Sequence, residues 1–111
     1  MGVLIKRNQI ESVKLDDAAI INLYNFATDD YDIVEGVFNG IHGTVMNIRS
    51  QKTYYIISGT ATFMIDGVDY QVEAGDIITV KPQSWLRING LNLKTLIISN
   101  PVFNSADEEW K

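Results

Sequence analysis

The dipeptide Asp66-Gly67, set between two segments of alternating polarity, constrains this chain more than any other feature. Both residues tolerate positive φ, so they suit the two-residue turn of a β-hairpin. Before the turn, "TATFMID" (60–66) places Ala61, Phe63 and Ile65 on one face and Thr60, Thr62 and Met64 on the other. After it, "VDYQVE" (68–73) carries Val68, Tyr70 and Val72 inward. The same grammar runs on both sides of the hairpin. "TYYIISG" (53–59) alternates and breaks at Gly59, "AGD" turns the chain into "IITV", and Pro82 ends that run where no ladder donor is needed. "WLRIN" and "LKTLIIS" complete the series, divided at Gly90. From residue 32 onward, strand and turn alternate about every five to ten residues. Many short antiparallel strands at this spacing imply an all-β barrel or sandwich, because closure removes exposed edges.

The first thirty residues read differently. "VLIKR" suits an edge strand. In "DDAAIINLYNFATDD", apolar Ala19, Ile20, Leu23, Tyr24 and Ala27 recur at helical spacing behind a pair of aspartates, which admits a short N-terminal helix. Tyr24 and Phe26 fit a strand equally well. The tail "SADEEWK" is acidic and expected to fray unless Trp110 pins it.

With 111 residues, the chain has room for one domain. A net charge of −5, with Lys6-Arg7 as the only close basic pair, argues against nucleic acid as a partner. No apolar run approaches the roughly 20 residues of a membrane helix, so no membrane partner is expected. The N-terminus shows no signal-peptide pattern, and a cytoplasmic location is the default expectation. The absence of cysteine removes disulfides, zinc-thiolate sites and thiol nucleophiles together.

The stretch "YYIISGTATFMIDGVDYQVEAGDIITVKPQSW", closed by "LIISNP", resembles the cupin family, with Gly59 ending the first cupin block and Gly75 opening the second. The resemblance implies a double-stranded β-helix, or jelly-roll barrel, with a recognisable core over 41–100. An N-terminal arm (1–31) and an acidic tail (104–111) complete a single domain of 1–111. Laid on the family pattern, the glutamate ligand falls on Lys52 and the third histidine on Leu86. The first two histidines fall on Met46 and Ile48 with the shorter spacing, or on Val45 and Asn47 with the longer. Apolar side chains offer no lone pair and an ammonium repels a cation, so no metal or other cofactor is expected. Small cupins commonly pair, which makes a homodimer the expected assembly, with "VLIKR" suited to strand exchange.

Several residues carry candidate chemistry. His42, the only histidine, is the candidate acid-base catalyst, because an imidazole as a side-chain type suits proton transfer near neutrality; set against this, it sits in "NGIHGTV" like an ordinary turn residue with no carboxylate nearby in sequence. Lys52 and Tyr54 are two apart on one strand and share a face. By the resemblance, that face looks into the barrel, where an ammonium and a phenol would meet an anionic ligand. Trp85 follows "KPQS" and is a candidate stacking wall at the barrel mouth, with Arg87 on the same strand face. Asn47 and Arg49 form a weaker pair. The adjacent carboxylates Asp16-Asp17, Asp29-Asp30 and Glu108-Glu109 read as solvated turn and tail residues.

Three readings follow. The first is a metal-free cupin that binds a small polar metabolite, a carbohydrate or carboxylate, through Asn47, Lys52, Tyr54, Trp85 and Arg87. The second is a metal-independent isomerase or epimerase of sugars or nucleotide-linked sugars, using His42 and Tyr54. The third is a structural protein with a filled barrel.

Overall fold

The computed structural model describes residues 1–24 and 28–111. Its strands are β1 (Glu11–Asp16), β2 (Ala19–Tyr24), β3 (Asp32–Asn47), β4 (Gln51–Ile65), β5 (Val68–Glu73), β6 (Ile77–Val80), β7 (Trp85–Asn100) and β8 (Glu108–Trp110). All pairings are antiparallel, in the order β1-β2-β3-β7-β4-β5, with β6 also on β4 and β8 also on β3.

Three strands are too long for one sheet and bend halfway. Register breaks fall at Phe38/Gly40 in β3 and at Ile56/Ser58/Thr60 in β4, facing the stretch of β7 around Leu91 and Leu93. The first halves of β3 and β4 and the second half of β7 therefore form one layer with β1, β2 and β6. The remaining halves form the other with β5 and β8. Two glycines make the bend possible. A Cβ on Gly59, at φ 79°, would lie 2.1 Å from the Asn92 carbonyl oxygen, and one on Gly90 would lie 2.6 Å from that of Phe38. The bend closes one end of the barrel. The opposite end, where Asp32, Asn47, Gln51, Trp85 and Asn100 start or finish their strands, is its mouth.

Between the layers lie Phe38, Ile56, Phe63, Ile88 and Leu93, all shut off from solvent. Each such side chain contributes about 2–3 kcal/mol by leaving water. Alternation delivers them: Ala61, Phe63 and Ile65 point inward as the hairpin pattern predicts, and Asp66 and Gly67 adopt φ 48° and 82° in the turn between β4 and β5. The Asp66 carboxylate accepts a hydrogen bond from the Trp85 N–H at 2.9 Å, fixing that turn to the start of β7.

Four expectations are corrected. The Ala19–Tyr24 segment is strand β2 rather than a helix, because pairing with β3 places Ala19 and Ile21 in the core. Phe26 and Ala27 lie outside the described residues. "VLIKR" pairs with no strand among the described residues, and its last residue opens a 3-10 turn over Arg7–Gln9. On β5, only Val72 is buried; Val68 and Tyr70 share its face but remain exposed on a strand at the end of the sheet. The acidic tail is ordered: after a 3-10 turn (Ser105–Asp107), β8 pairs with the end of β3, Val45 opposite Trp110 and Asn47 opposite Glu108.

Candidate functional site

At the mouth, a small recess is lined by Val45, Asn47, Ser50, Lys52, Val80, Lys81, Ser84 and Leu86, with free space of about 10 Å³, enough for one water molecule. Strand geometry puts these residues there. Lys52 lies opposite Ser99 on β7 and Val80 on β6, two residues before buried Tyr54 on the same face. Its ammonium donates to Glu108 Oε1 at 2.8 Å, and the two side chains are only 14% and 7% exposed. The Phe103 ring lies 5.3 Å from the Lys52 nitrogen. The Asn47 side-chain oxygen accepts the Arg49 and Ser50 N–H groups at 2.9 and 2.6 Å and holds the turn into β4. Its Nδ2, like Glu108 Oε2, is buried without a partner.

Charges around the recess are coupled. Burial raises the Asp32 carboxyl above its ordinary pKa, against the opposing pull of the Phe103 N–H, the Lys52 charge and Ser99. Burial, helped by the negative charge of Glu108, pushes the Tyr54 hydroxyl well above its ordinary value. Tyr54 is therefore a hydrogen-bond donor at neutral pH and not a base.

His42 is not a turn residue. It lies within β3, opposite Ile88, and its side chain is 5% exposed. Its Nδ1 is 2.7 Å from Asp16 Oδ2, at the end of β1. The Gly43 N–H donates to the same oxygen at 3.1 Å, and the Ala18 N–H to the other at 2.9 Å. Burial opposes the charge on Asp16, but these donors and the imidazole outweigh it and hold the carboxyl below its ordinary pKa. An ionised carboxylate only accepts, so Nδ1 carries the hydrogen and Nε2 is left as the basic ring nitrogen. Phe38 and Trp110 meet the ring edge-on, with centroids at 5.5 and 5.3 Å. Asp16 also lines an open groove of about 470 Å³ with Asp17, Ala18, Asn39, Gly40, Ile41 and Gly43.

The sequence-predicted residues thus divide. Asn47 and Lys52 share the recess, and Tyr54 lies beneath it, edge-on to Phe63 at 4.9 Å. Trp85 is half-buried at the mouth with the Lys111 ammonium 4.5 Å from its ring centroid. Arg87 is exposed and alternates with buried Leu86 and Ile88, so it points out of the barrel. Asp16 and Glu108 were missed as partners, since each reaches its imidazole or cation from another strand or the tail, and Asp32 was missed because the Phe103 N–H it accepts comes from 71 positions away.

The family's metal positions can be tested directly. With the longer spacing they are Val45, Asn47, Lys52 and Leu86, and the structure brings all four around the one recess. Two apolar side chains, an amide and an ammonium already bound to a carboxylate do not fit a divalent cation. Among the described residues, no three His, Cys, Asp or Glu side chains come together as a ligand set.

Two bent layers sharing three long strands, open at one end, define the double-stranded β-helix of the cupins. Residues 47–91 match the model of the cupin domain family, and the fold is that of a cupin barrel. Among solved structures, it is similar to Pac13 from Streptomyces, described as a unique nucleoside dehydratase. The TM-score is 0.92 at 22% identity, covering 100% of this chain and 92% of that one. One histidine-to-glutamine and two tyrosine-to-phenylalanine variants of Pac13 are solved with uridine. KdgF from Halomonas is similar at TM-score 0.82 and 12% identity, covering 96% and 99%. An RmlC-like cupin from Shewanella frigidimarina follows at 0.74 and 19%, covering 91% and 92%. No curated protein matches the chain. No helix among the described residues is long and apolar enough to cross a membrane.

Proposed function

We propose that this cupin is a metal-independent enzyme that moves a proton on a small hydroxylated substrate of the nucleoside or nucleotide-linked sugar class. The carrying observation is the 2.7 Å contact between His42 Nδ1 and Asp16, which leaves Nε2 as a base of fixed orientation. His42 would take a proton from the carbon beside a substrate carbonyl, and the C–H electron pair would pass into an enolate. The imidazolium then returns that proton: in an isomerisation to the former carbonyl carbon, while the α-hydroxyl proton passes to the former carbonyl oxygen, or in a dehydration to the β-hydroxyl, whose C–O bond breaks as the enolate pair forms the new double bond. Asp16 is a positioning residue that stabilises the imidazolium. Tyr54, kept protonated, is suited to donate toward the developing oxyanion.

The fold likeness to a nucleoside dehydratase supports the substrate class, and so do the histidine and tyrosine variants made in that relative. With His42 enclosed, substrate entry requires β8 and Trp110 to move. β8 is short, and bonds such as Ile48 N–H to the Asp107 carbonyl and Lys111 N–H to that of Thr44, both 3.0 Å, hold it. A structural role is favoured by one observation, the nearly filled mouth. Turnover separates the two. His42→Gln is expected to lower proton exchange into a carbonyl-bearing nucleoside by on the order of 10²-fold or more. Asp16→Asn is expected to lower kcat with little effect on KM and to shift the pH profile. No exchange by the wild-type chain across such substrates would leave the structural reading standing.

A further inference from the structure

We infer that the Lys52–Asn47 recess is a binding subsite for a carboxylate group, and that Glu108 of the C-terminal tail occupies it as an internal stand-in for that ligand. The inference does not depend on chemistry at His42.

The recess is rich in donors and poor in acceptors. Lys52, Lys81, Ser50, Ser84 and Asn47 line it; Asp32 is near enough for the Lys52 charge to act on its carboxyl, and the carboxylate hydrogen-bonded to Lys52 is that of Glu108, 56 positions away. That carboxylate fits incompletely. Oε1 takes the Lys52 bond, whereas Oε2 has no partner. Across the strand pair, Asn47 Nδ2 is an equally buried donor without an acceptor, although Asn47 and Glu108 are register partners. Two complementary orphans on paired residues are costly for a contact that exists only to hold the tail down, since each buried, unmade hydrogen bond costs about 1–3 kcal/mol. A free carboxylate can turn to meet Lys52 through one oxygen and Asn47 through the other. Glu108 is tethered to β8 and does not.

The tail is also a short element at the mouth. β8 spans three residues, and Trp110 is exposed over half its surface while its edge covers His42. Lys111 rests on Trp85. Withdrawal of Glu108 empties the space beside Lys52 and lifts Trp110 from His42 in the same movement. A ligand carboxylate would therefore compete with the tail and, by winning, open the barrel.

The test is chemical complementation. Glu108→Ala deletes the equivalent of one acetate from the recess. Sodium acetate at about 100 times its dissociation constant should raise the unfolding temperature of Glu108→Ala by roughly 10 °C. Wild type, with the recess filled, should move far less at that concentration. The shift should vanish in Lys52→Met/Glu108→Ala and should not be produced by chloride. Equal shifts in all three proteins, or none in Glu108→Ala, would overturn the proposal. A larger shift with inorganic phosphate than with acetate would overturn the carboxylate assignment. If Glu108→Ala does not fold, wild type serves. Malonate should then speed hydrogen exchange at the Lys111 N–H, which Thr44 protects, and unchanged exchange would overturn the inference.

Discussion

Replacing Lys52 by Met is the most informative single perturbation of the mouth. Met keeps most of the aliphatic stem and removes the ammonium. With the two side chains 14% and 7% exposed, the partners are largely desolvated, and Glu108 has no second bond to fall back on. Removing one member of such a pair costs about 3–5 kcal/mol, because the remaining charge is buried and unmatched. Loss of the cation near Phe103 adds about 0.5 kcal/mol. For a domain of this size, the sum corresponds to a fall of roughly 12–20 °C in Tm. Urea unfolding at pH 7 measures it, and the m-value should stay constant if only stability changes. The companion Lys52→Met/Glu108→Gln should recover at least half of the loss, since a neutral amide is far cheaper to bury than a carboxylate. A loss below about 1 kcal/mol, the range of solvated surface pairs, would refute the reasoning. Glu108 would then not be seated in the barrel.

Other consequences are testable in the same way. Gly59→Ala places a Cβ 2.1 Å from the Asn92 carbonyl at a positive φ and should cost at least about 2 kcal/mol in urea unfolding. Glu35 is nearly buried; burial opposes its charge, but Asn22, Arg7 and Lys94 prevail and depress its pKa. Its contribution is therefore complete above its unfolded value of about 4.3 and lost as pH falls through the lower folded value. Glu35→Gln should be less stable than wild type at pH 7, and the difference should close in acid. Asp32 has the opposite sign. Its folded pKa is raised, so stability declines as pH climbs from the unfolded value of about 3.9 through the folded one. Asp32→Asn, which keeps an acceptor for the Phe103 N–H, should match or exceed wild type at pH 7 and show no such gain near pH 3.

What was legible in the sequence was local. The Asp66-Gly67 turn, the alternation of Ala61, Phe63 and Ile65, and the shared face of Lys52 and Tyr54 depend on neighbours a few residues away, and period-2 patterning reports them. β2 was not legible, because "AAIINLY" satisfies helical and strand spacing alike and only its pairing with β3 decides. The site suffered most from distance. His42 is 26 residues from Asp16 and Lys52 is 56 from Glu108, so neither pair leaves a sequence signal. The tail was misread for the same reason. "SADEEWK" is polar enough to fray, and it is held because Glu108 meets a buried cation and Trp110 an imidazole.

The central claim is that His42, oriented by Asp16, transfers a proton without a metal. Its most direct test is deuterium incorporation from D₂O, followed by NMR, into nucleosides and nucleotide-linked sugars that carry a carbonyl. The protein would be stripped of metal and assayed in excess chelator. The account predicts incorporation that is unchanged by chelator, reduced on the order of 10²-fold or more in His42→Gln, and shifted in pH profile by Asp16→Asn. Incorporation that disappears with chelator, or that persists in His42→Gln, would contradict it.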